Sequence, residues 1–107
     1  FLRWLNETID SIDEDAYVVG EAWTTNKTIT DLYDSGIDSL FQFSLSQADG
    51  LIASSIRSKQ GYNLANEVIK YNQMIKEANP DALNAVFISN HDQGRSAGYF
   101  TSTQPEY

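Results

Sequence analysis

The sequence predicts an α/β fold in which short parallel strands alternate with helices. Three short apolar runs have the length and composition of buried strands. The stretches around them contain apolar residues at helical spacing. Strands that alternate with helices are typical of βαβ units, whose strands lie parallel. The 107 residues are enough for one small domain with a modest core.

The first predicted element is a helix, followed by a strand. Its apolar stripe recurs at spacings of three, four and three: Leu2, Leu5, Ile9 and Ile12. The acidic run at residues 13–15 ends the helix, because anions are unfavourable at a helix C-terminus. Residues 17–19 then predict a strand buried on both faces and stopped by Gly20. We expect residues 22–36 to form a long polar loop with no more than a turn of helix.

The rest of the chain predicts a strand, two helices and a last strand. Residues 39–43 are the second strand, and Leu51, Ile52 and Ile56 indicate a short helix interrupted near Gly61. A second stripe predicts a helix capped by Asn63 and ended by Pro80: Leu64, Val68, Tyr71 and Ile75. Residues 85–88 are the third strand, and residues 89–95 are polar and typical of a turn.

Composition excludes several classes of partner and site. The net charge of −8 argues against nucleic acid and anionic membranes, which bind clustered Lys and Arg. There is no cysteine and a single histidine, His91, so disulfides, thiol chemistry and a structural zinc site are not expected. No apolar run approaches the ~20 residues that span a bilayer. The chain starts without Met inside a helical pattern, so we expect its ends to be cuts in a longer sequence.

Two polar clusters follow predicted strands directly. Glu21 and Trp23 come after the first strand, and residues 90–92 come after the third. Functional groups gather at the carboxyl ends of parallel strands, where a carboxylate is partly desolvated and can act as an acid. Two carboxylates facing one cleft, beside an aromatic ring that can stack on a sugar, are suited to glycoside hydrolysis.

Each of these residues also has an ordinary structural interpretation. A Glu after a strand caps a helix or faces solvent in about three cases in four, since a loop position only raises the odds of function. A lone His is usually a hydrogen-bonded structural residue. Asp92 is commonly a turn residue and Trp23 a core residue. The residues alone therefore predict a barrel-like α/β segment with a candidate acidic site.

Three segments resemble glycoside hydrolase family 13, the α-amylase family. Residues 18–23 (VVGEAW) are similar to its motif at the end of the fifth barrel strand, and residues 87–92 (FISNHD) to its motif at the end of the seventh. Residues 36–43 (GIDSLFQF) resemble the sixth strand. The segments occur in the family's order. The resemblance therefore implies that residues 1–107 are a fragment of a catalytic (β/α)₈ TIM barrel, with about three parallel strands and flanking helices.

The resemblance implies a retaining mechanism on α-glucosidic bonds. Glu21 matches the family's general acid/base, Asp92 its second, non-nucleophilic Asp, and His91 a histidine that binds the same sugar. Three further residues match the rim of the substrate site: Asn90, Trp23 and Arg95. Starch, maltodextrins, isomaltose, sucrose and trehalose all remain open as substrates, and hydrolysis is not separated from transglycosylation.

Other parts of the family's machinery have no match in this sequence. Its nucleophilic Asp, its strand-three motif and its usual calcium ligands belong upstream of Phe1. We therefore expect no cofactor in this segment, with any calcium bound elsewhere in the full-length parent. Such a barrel needs roughly 250 residues. We expect the isolated chain to be inactive and to associate through open sheet edges, either with the missing barrel segments or with itself.

Two other interpretations remain open from the sequence. One is a non-catalytic carbohydrate-binding or scaffold module of barrel origin, which the retention of both Glu21 and Asp92 disfavours. The other is a small independent α/β domain, which the three ordered segments disfavour. The triplets that begin at Asn6 and Asn26 are glycosylation sequons, but such triplets are common by chance. The compartment, secreted, cell-surface or cytoplasmic, stays open.

Overall fold

A computed structural model describes residues 1–47 and 49–93. Within them, helices and strands follow the order α1 (Leu2–Ile12), β1 (Val19–Gly20), α2 (Asn26–Tyr33), β2 (Ser39–Phe41), α3 (Phe43–Ser46), α4 (Leu51–Ser58), α5 (Gly61–Ala78) and β3 (Leu83–Ala85). The three strands form one parallel sheet in the order β1-β2-β3. The predicted parallel α/β fold is therefore confirmed.

The chain divides into two compact units, with a boundary inside α5. The first, which we call the sheet unit, comprises Phe1–Phe41 and Tyr71–Ala85 and contains all three strands. The second, which we call the helical unit, comprises Gln42–Lys70 and the segment that starts at Val86. The candidate residues after β1 thus belong to the sheet unit, and those after β3 to the helical unit.

Tyr33 lies at the centre of the sheet unit and is 1% exposed. Its hydroxyl donates to the Leu83 carbonyl at 2.9 Å and accepts from the Leu40 amide at 3.0 Å. One side chain from α2 therefore joins β2 to β3. Burial raises the pKa of Tyr33, although the bond from Leu40 lowers it in part. The core cluster around Tyr33 comprises Ile29, Ile37, Leu40, Tyr71, Ile75 and Ala82.

The loop predicted over residues 22–36 is wrong, because α2 fills eight of its positions. The Thr25 side chain caps this helix by accepting from the Thr28 amide. Ile29 and Tyr33, four residues apart, bury one face of the helix against the sheet. Only these two apolar residues of α2 are buried, so the helical periodicity is weak among its polar residues.

The first strand differs from the prediction in position and in burial. Strand β1 is Val19–Gly20, so Gly20 lies inside it and Tyr17 lies outside. Val19 is 43% exposed, which contradicts burial on both faces. Within the described part of the chain, β1 pairs with β2 alone, and this leaves its other edge uncovered.

Two boundaries in the second half also differ from the prediction. Lys59, in the left-handed conformation, caps the C-terminal end of α4, and helix α5 begins two residues later at Gly61. Asn63 therefore lies inside α5 and is not its cap. Strand β3 ends at Ala85, where pairing with Phe41 stops because β2 ends there. Residues 86–88, predicted as strand, therefore follow β3.

None of the helices in the described part of the chain combines the length and the hydrophobicity that spanning a bilayer requires.

Candidate active site

Glu21 directly follows the last residue of β1, and Gly20 sets how closely that strand approaches β2. A Cβ atom at Gly20 would lie 2.8 Å from Cδ2 of Leu40 and 3.0 Å from Cδ1 of Ile37. Both of these side chains are buried in the core. Only glycine allows the backbone before Glu21 to lie this close to the core without displacing it.

Hydrogen bonds from Asp38 and from Ser39 at the start of β2 fix the backbone before Glu21. The Val18 amide donates to Oδ2 of Asp38 at 2.7 Å. The Val18 carbonyl accepts from the Ser39 amide at 3.2 Å. Asp38 also accepts at its backbone carbonyl from the Leu83 amide at 2.7 Å, so it bonds both the residue before β1 and the first residue of β3. The backbone that leads into Glu21 is therefore held by hydrogen bonds of the sheet unit.

The side chains after β1 face solvent. Glu21 is exposed, and Trp23 is 69% exposed. The Glu21 carboxylate has no hydrogen bond or ion pair to any residue in the described ranges 1–47 and 49–93. The expected partial desolvation of Glu21 is therefore wrong here, since none of the strands in the described ranges covers the outer edge of β1. An accessible carboxylate beside an accessible indole ring can contact a ligand from solvent.

In the helical unit, α3 holds the segment that follows β3. Ser46 is fully buried, and its hydroxyl accepts from the Phe87 amide at 3.0 Å. The Phe87 ring packs edge-on against Phe43, with ring centroids 5.3 Å apart and planes at 79°. The side chain of Gln42 caps α3 by accepting from Ser44. The two contacts of Phe87 have no local signal, because they join residues about 40 positions apart. The cap by Gln42 was missed because Gln42 and Phe43 were predicted as strand.

A tight turn then presents His91 and Asp92. Oδ1 of Asn90 accepts from the Asp92 amide at 3.1 Å, and the Asn90 carbonyl accepts from the Gln93 amide at 3.4 Å. Nε2 of His91 lies 3.4 Å from Oδ2 of Asp92, and these side chains are 80% and 64% exposed. The turn therefore offers an imidazole and a carboxylate as neighbouring hydrogen-bonding groups.

The predicted residues thus fall into two groups. Glu21 and Trp23 lie together after β1 in the sheet unit, while Asn90, His91 and Asp92 lie together on one turn in the helical unit. Asn90 is half-buried and shapes that turn through its own side chain. Arg95 lies outside the described residues. Within residues 1–47 and 49–93, no group of three or more acidic or histidine side chains could hold a metal ion.

The comparison with family models decides the membership of the chain. The model of the α-amylase catalytic domain matches residues 1–107. The chain belongs to the α-amylase family. This confirms the resemblance based on the three strand segments.

Individual relatives agree with this assignment. Alpha-amylase 3 of Dictyoglomus thermophilum is 30% identical over 102 residues, which cover 92% of this chain and 20% of the relative. Amy13B of Eubacterium rectale has a matching structure with a TM-score of 0.82 and 38% identity, over 92% of this chain and 20% of Amy13B. The α-amylase from H. orenii matches with a TM-score of 0.74 at 21% identity over the same shares, a likeness in fold alone.

The chain spans about a fifth of the length of these relatives. Its three parallel strands and their helices are therefore part of a (β/α)₈ barrel, as predicted.

Proposed function

We propose that this chain is one part of a retaining glycoside hydrolase that cleaves α-glucosidic bonds in starch-like glucans or maltooligosaccharides. One observation carries the proposal: a solvent-accessible Glu21 stands at the carboxyl end of β1, on a backbone fixed by the close approach of Gly20 to the core. Catalytic groups of such barrels lie at the carboxyl ends of strands. Membership of the α-amylase family supports the reaction class.

Glu21 acts in this proposal as the general acid and then as the general base. It first donates a proton to the glycosidic oxygen, so that the sugar leaves as an alcohol rather than as an alkoxide. It later removes a proton from the water that attacks the glycosyl-enzyme intermediate. A catalytic acid works best when partly desolvated, and this requires other strands or a bound sugar to cover the exposed edge of β1.

Asp92 and His91 act on the sugar itself. Their exposed, adjacent side chains can hydrogen-bond neighbouring hydroxyl groups of one pyranose ring. A carboxylate close to that ring also stabilises the positive charge that develops in an oxocarbenium-like transition state. We assign Asn90 to the turn that presents them and to the site rim, and Trp23 to stacking against a sugar face. Arg95 keeps its proposed place at the rim.

The proposed mechanism also needs a carboxylate nucleophile, which retaining enzymes place about 5–5.5 Å from the acid/base. We assign this group to a part of the longer protein that is not among these 107 residues. The isolated 107-residue chain is then expected to show no hydrolysis of maltooligosaccharides. It is also expected to self-associate through the open edges of its sheet, unless the remaining barrel segments pair with it. Neither nucleic acid nor a membrane surface fits as a partner, given the net charge of −8.

The test compares Glu21→Gln with Glu14→Gln in the complete protein. Both positions are exposed and lie seven residues apart, and both changes remove one carboxylate. Loss of a general acid/base lowers kcat about 10²–10⁴-fold, so we expect that loss for Glu21→Gln and none for Glu14→Gln. Equal activity of the two variants on maltooligosaccharides would contradict the proposal.

Retention is tested separately by proton NMR of the first product formed. The proposal requires the anomeric signal of the new reducing end to appear initially in the α configuration. An initial β signal would show inversion and would remove the nucleophile from the mechanism.

A further inference from the structure

A buried hydroxyl in the helical unit lies at the start of the segment that leads to the His91–Asp92 turn. Ser46 ends α3, has no exposed surface, and accepts a hydrogen bond from the Phe87 amide at 3.0 Å. The two residues are 41 positions apart in the chain. This bond therefore fixes one long-range relation between α3 and the backbone that leaves β3.

Little chain separates this bond from the turn. Four residue steps lead from Phe87 to His91, and the Asn90 side chain and carbonyl already bind the amides of Asp92 and Gln93. The turn is thus locally braced, and its direction depends on how the backbone is held at Phe87. A shift of about 1 Å in a positioned group can lower a catalytic rate 10²-fold.

We propose that Ser46 is a positioning residue that orients the His91–Asp92 turn toward the sugar, an inference that rests on the function proposed above. The hydroxyl supplies the directional part, because a hydrogen bond constrains both distance and angle. The Phe43–Phe87 ring pair supplies apolar contact with less directional constraint. Ser46 itself touches neither the sugar nor the reacting atoms in this arrangement.

The chain offers a matched control in Ser39. It is likewise fully buried, and its hydroxyl donates to the Leu83 carbonyl at 3.0 Å, at the beginning of β3. Ser39→Ala and Ser46→Ala each delete one buried hydroxyl that bonds a distant backbone group. They differ in that Phe87 leads directly to the turn, while the Leu83 carbonyl keeps a second bond from Tyr33.

The experiment measures kcat and KM of the complete protein on p-nitrophenyl maltotrioside at a temperature well below the melting temperature of each variant. The melting temperatures are measured separately. We expect Ser46→Ala to lower kcat about tenfold or more, with a smaller change in KM, while Ser39→Ala keeps wild-type kcat. We expect both variants to lose thermal stability. Equal kcat in the two serine variants would overturn the inference.

Two further variants keep the test decisive. Phe43→Leu leaves the Ser46 hydroxyl in place, so we expect it to lower stability while the logarithm of kcat falls less than half as much as in Ser46→Ala. If Ser46→Ala does not fold, Ser46→Cys, whose thiol is a poorer acceptor, replaces it. A tenfold loss of kcat in Ser46→Cys beside a wild-type kcat in Phe43→Leu then supports the inference, and a wild-type kcat in Ser46→Cys overturns it. Asp92→Asn tests the proposed function independently. Full activity in Asp92→Asn contradicts that function, whereas its loss beside equal serine variants removes the positioning role alone.

Discussion

The two strand ends that carry the proposed site residues are held by different kinds of interaction. Glu21 follows β1 directly, and its backbone is placed by strand pairing and by the close packing of Gly20 on the core. Asp92 comes seven residues after the end of β3, on a turn that the Asn90 side chain braces, and the backbone that leads to this turn bonds Ser46 at Phe87. The first position should therefore be sensitive to added volume, and the second to the loss of single polar atoms.

The largest effect expected at the second strand end is on catalysis. Asp92→Asn removes the negative charge that we assign to transition-state stabilisation, and the loss of such a group typically lowers kcat about 10²–10³-fold. The measurement is kcat on maltooligosaccharides in the complete protein. Asp49→Asn, an exposed position in the same unit, is the control and should leave kcat unchanged. Comparable rates for the two variants would mean that Asp92 has no catalytic role.

Added volume at the first strand end is expected to cost stability and activity together. In Gly20→Ala the new methyl group meets Leu40 and Ile37, and overpacking of this kind costs about 1–3 kcal/mol. The displaced strand also moves Glu21, so kcat should fall. The control is Gly61→Ala, where a Cβ meets nothing within 4 Å at the start of α5. Denaturant unfolding should show a lower free energy of unfolding for Gly20→Ala and no decrease for Gly61→Ala. Equal stability of the two variants would mean that β1 is not held by this contact.

Tyr33→Phe tests the hydrogen bonding behind the first strand end. It leaves the buried Leu40 amide without the Tyr33 hydroxyl, and an unsatisfied buried donor costs about 1–3 kcal/mol. The ring itself stays, so packing is nearly unchanged. Asparagine and serine bonds at the second strand end are untouched, and kcat should remain close to wild type in the folded protein. Unchanged unfolding free energy would show that the bond contributes nothing.

Tyr33 is also expected to make the free energy of unfolding decrease at alkaline pH. Burial raises the pKa of Tyr33 in the folded chain above its ordinary value of 10.0. The unfolded chain then loses its proton first, so the contribution is fully present below about pH 10 and is lost as pH rises through the folded pKa. Unfolding free energy measured from about pH 8 to pH 11 should fall more steeply for wild type than for Tyr33→Phe. Parallel curves would contradict this assignment.

The smallest expected effect is at Asn90. Asn90→Ala removes one neutral hydrogen bond to the Asp92 amide, worth about 0.5–1.5 kcal/mol, so kcat/KM should fall roughly two- to tenfold. Stability should fall by no more than about 1.5 kcal/mol, the upper value for one such bond. Asn90→Asp keeps an acceptor oxygen and should retain the turn. A loss for Asn90→Ala as large as that for Asp92→Asn would mean that Asn90 contacts the sugar directly.

The sequence predicted the parts of the fold that depend on local pattern. The stripe from Leu2 to Ile12 matches α1, and the parallel order of three strands follows from their alternation with helices. The sequence-based prediction was wrong where tertiary contacts determine the secondary structure. Helix α2 has only two buried residues, Ile29 and Tyr33, too few to stand out among its polar neighbours. Strand β3 ends at Ala85 because its partner ends at Phe41, which no local pattern records.

For the candidate site, the sequence supplied the residues but not their supports. Glu21 and Asp92 were identified from the motifs around them. Asp38 and Ser46, which bond the backbones before those residues, had no signal, because they act through contacts with chain segments distant in sequence. The exposure of Glu21 was also not predicted, since it depends on what covers the outer edge of β1.

Whether Glu21 donates the proton is best tested by how the activity of the Glu21→Gln variant depends on the leaving group of the substrate. A general acid is needed when the departing alcohol is a poor leaving group and is not needed when it departs readily as an anion. We predict that Glu21→Gln in the complete protein lowers kcat/KM for maltooligosaccharides about 10²–10⁴-fold. Its kcat/KM for an activated α-maltoside falls far less, because that ratio depends on the release of 2,4-dinitrophenol and not on the later attack of water, in which Glu21 acts as the base. Equal losses on both substrates would contradict the assignment of Glu21 as the proton donor.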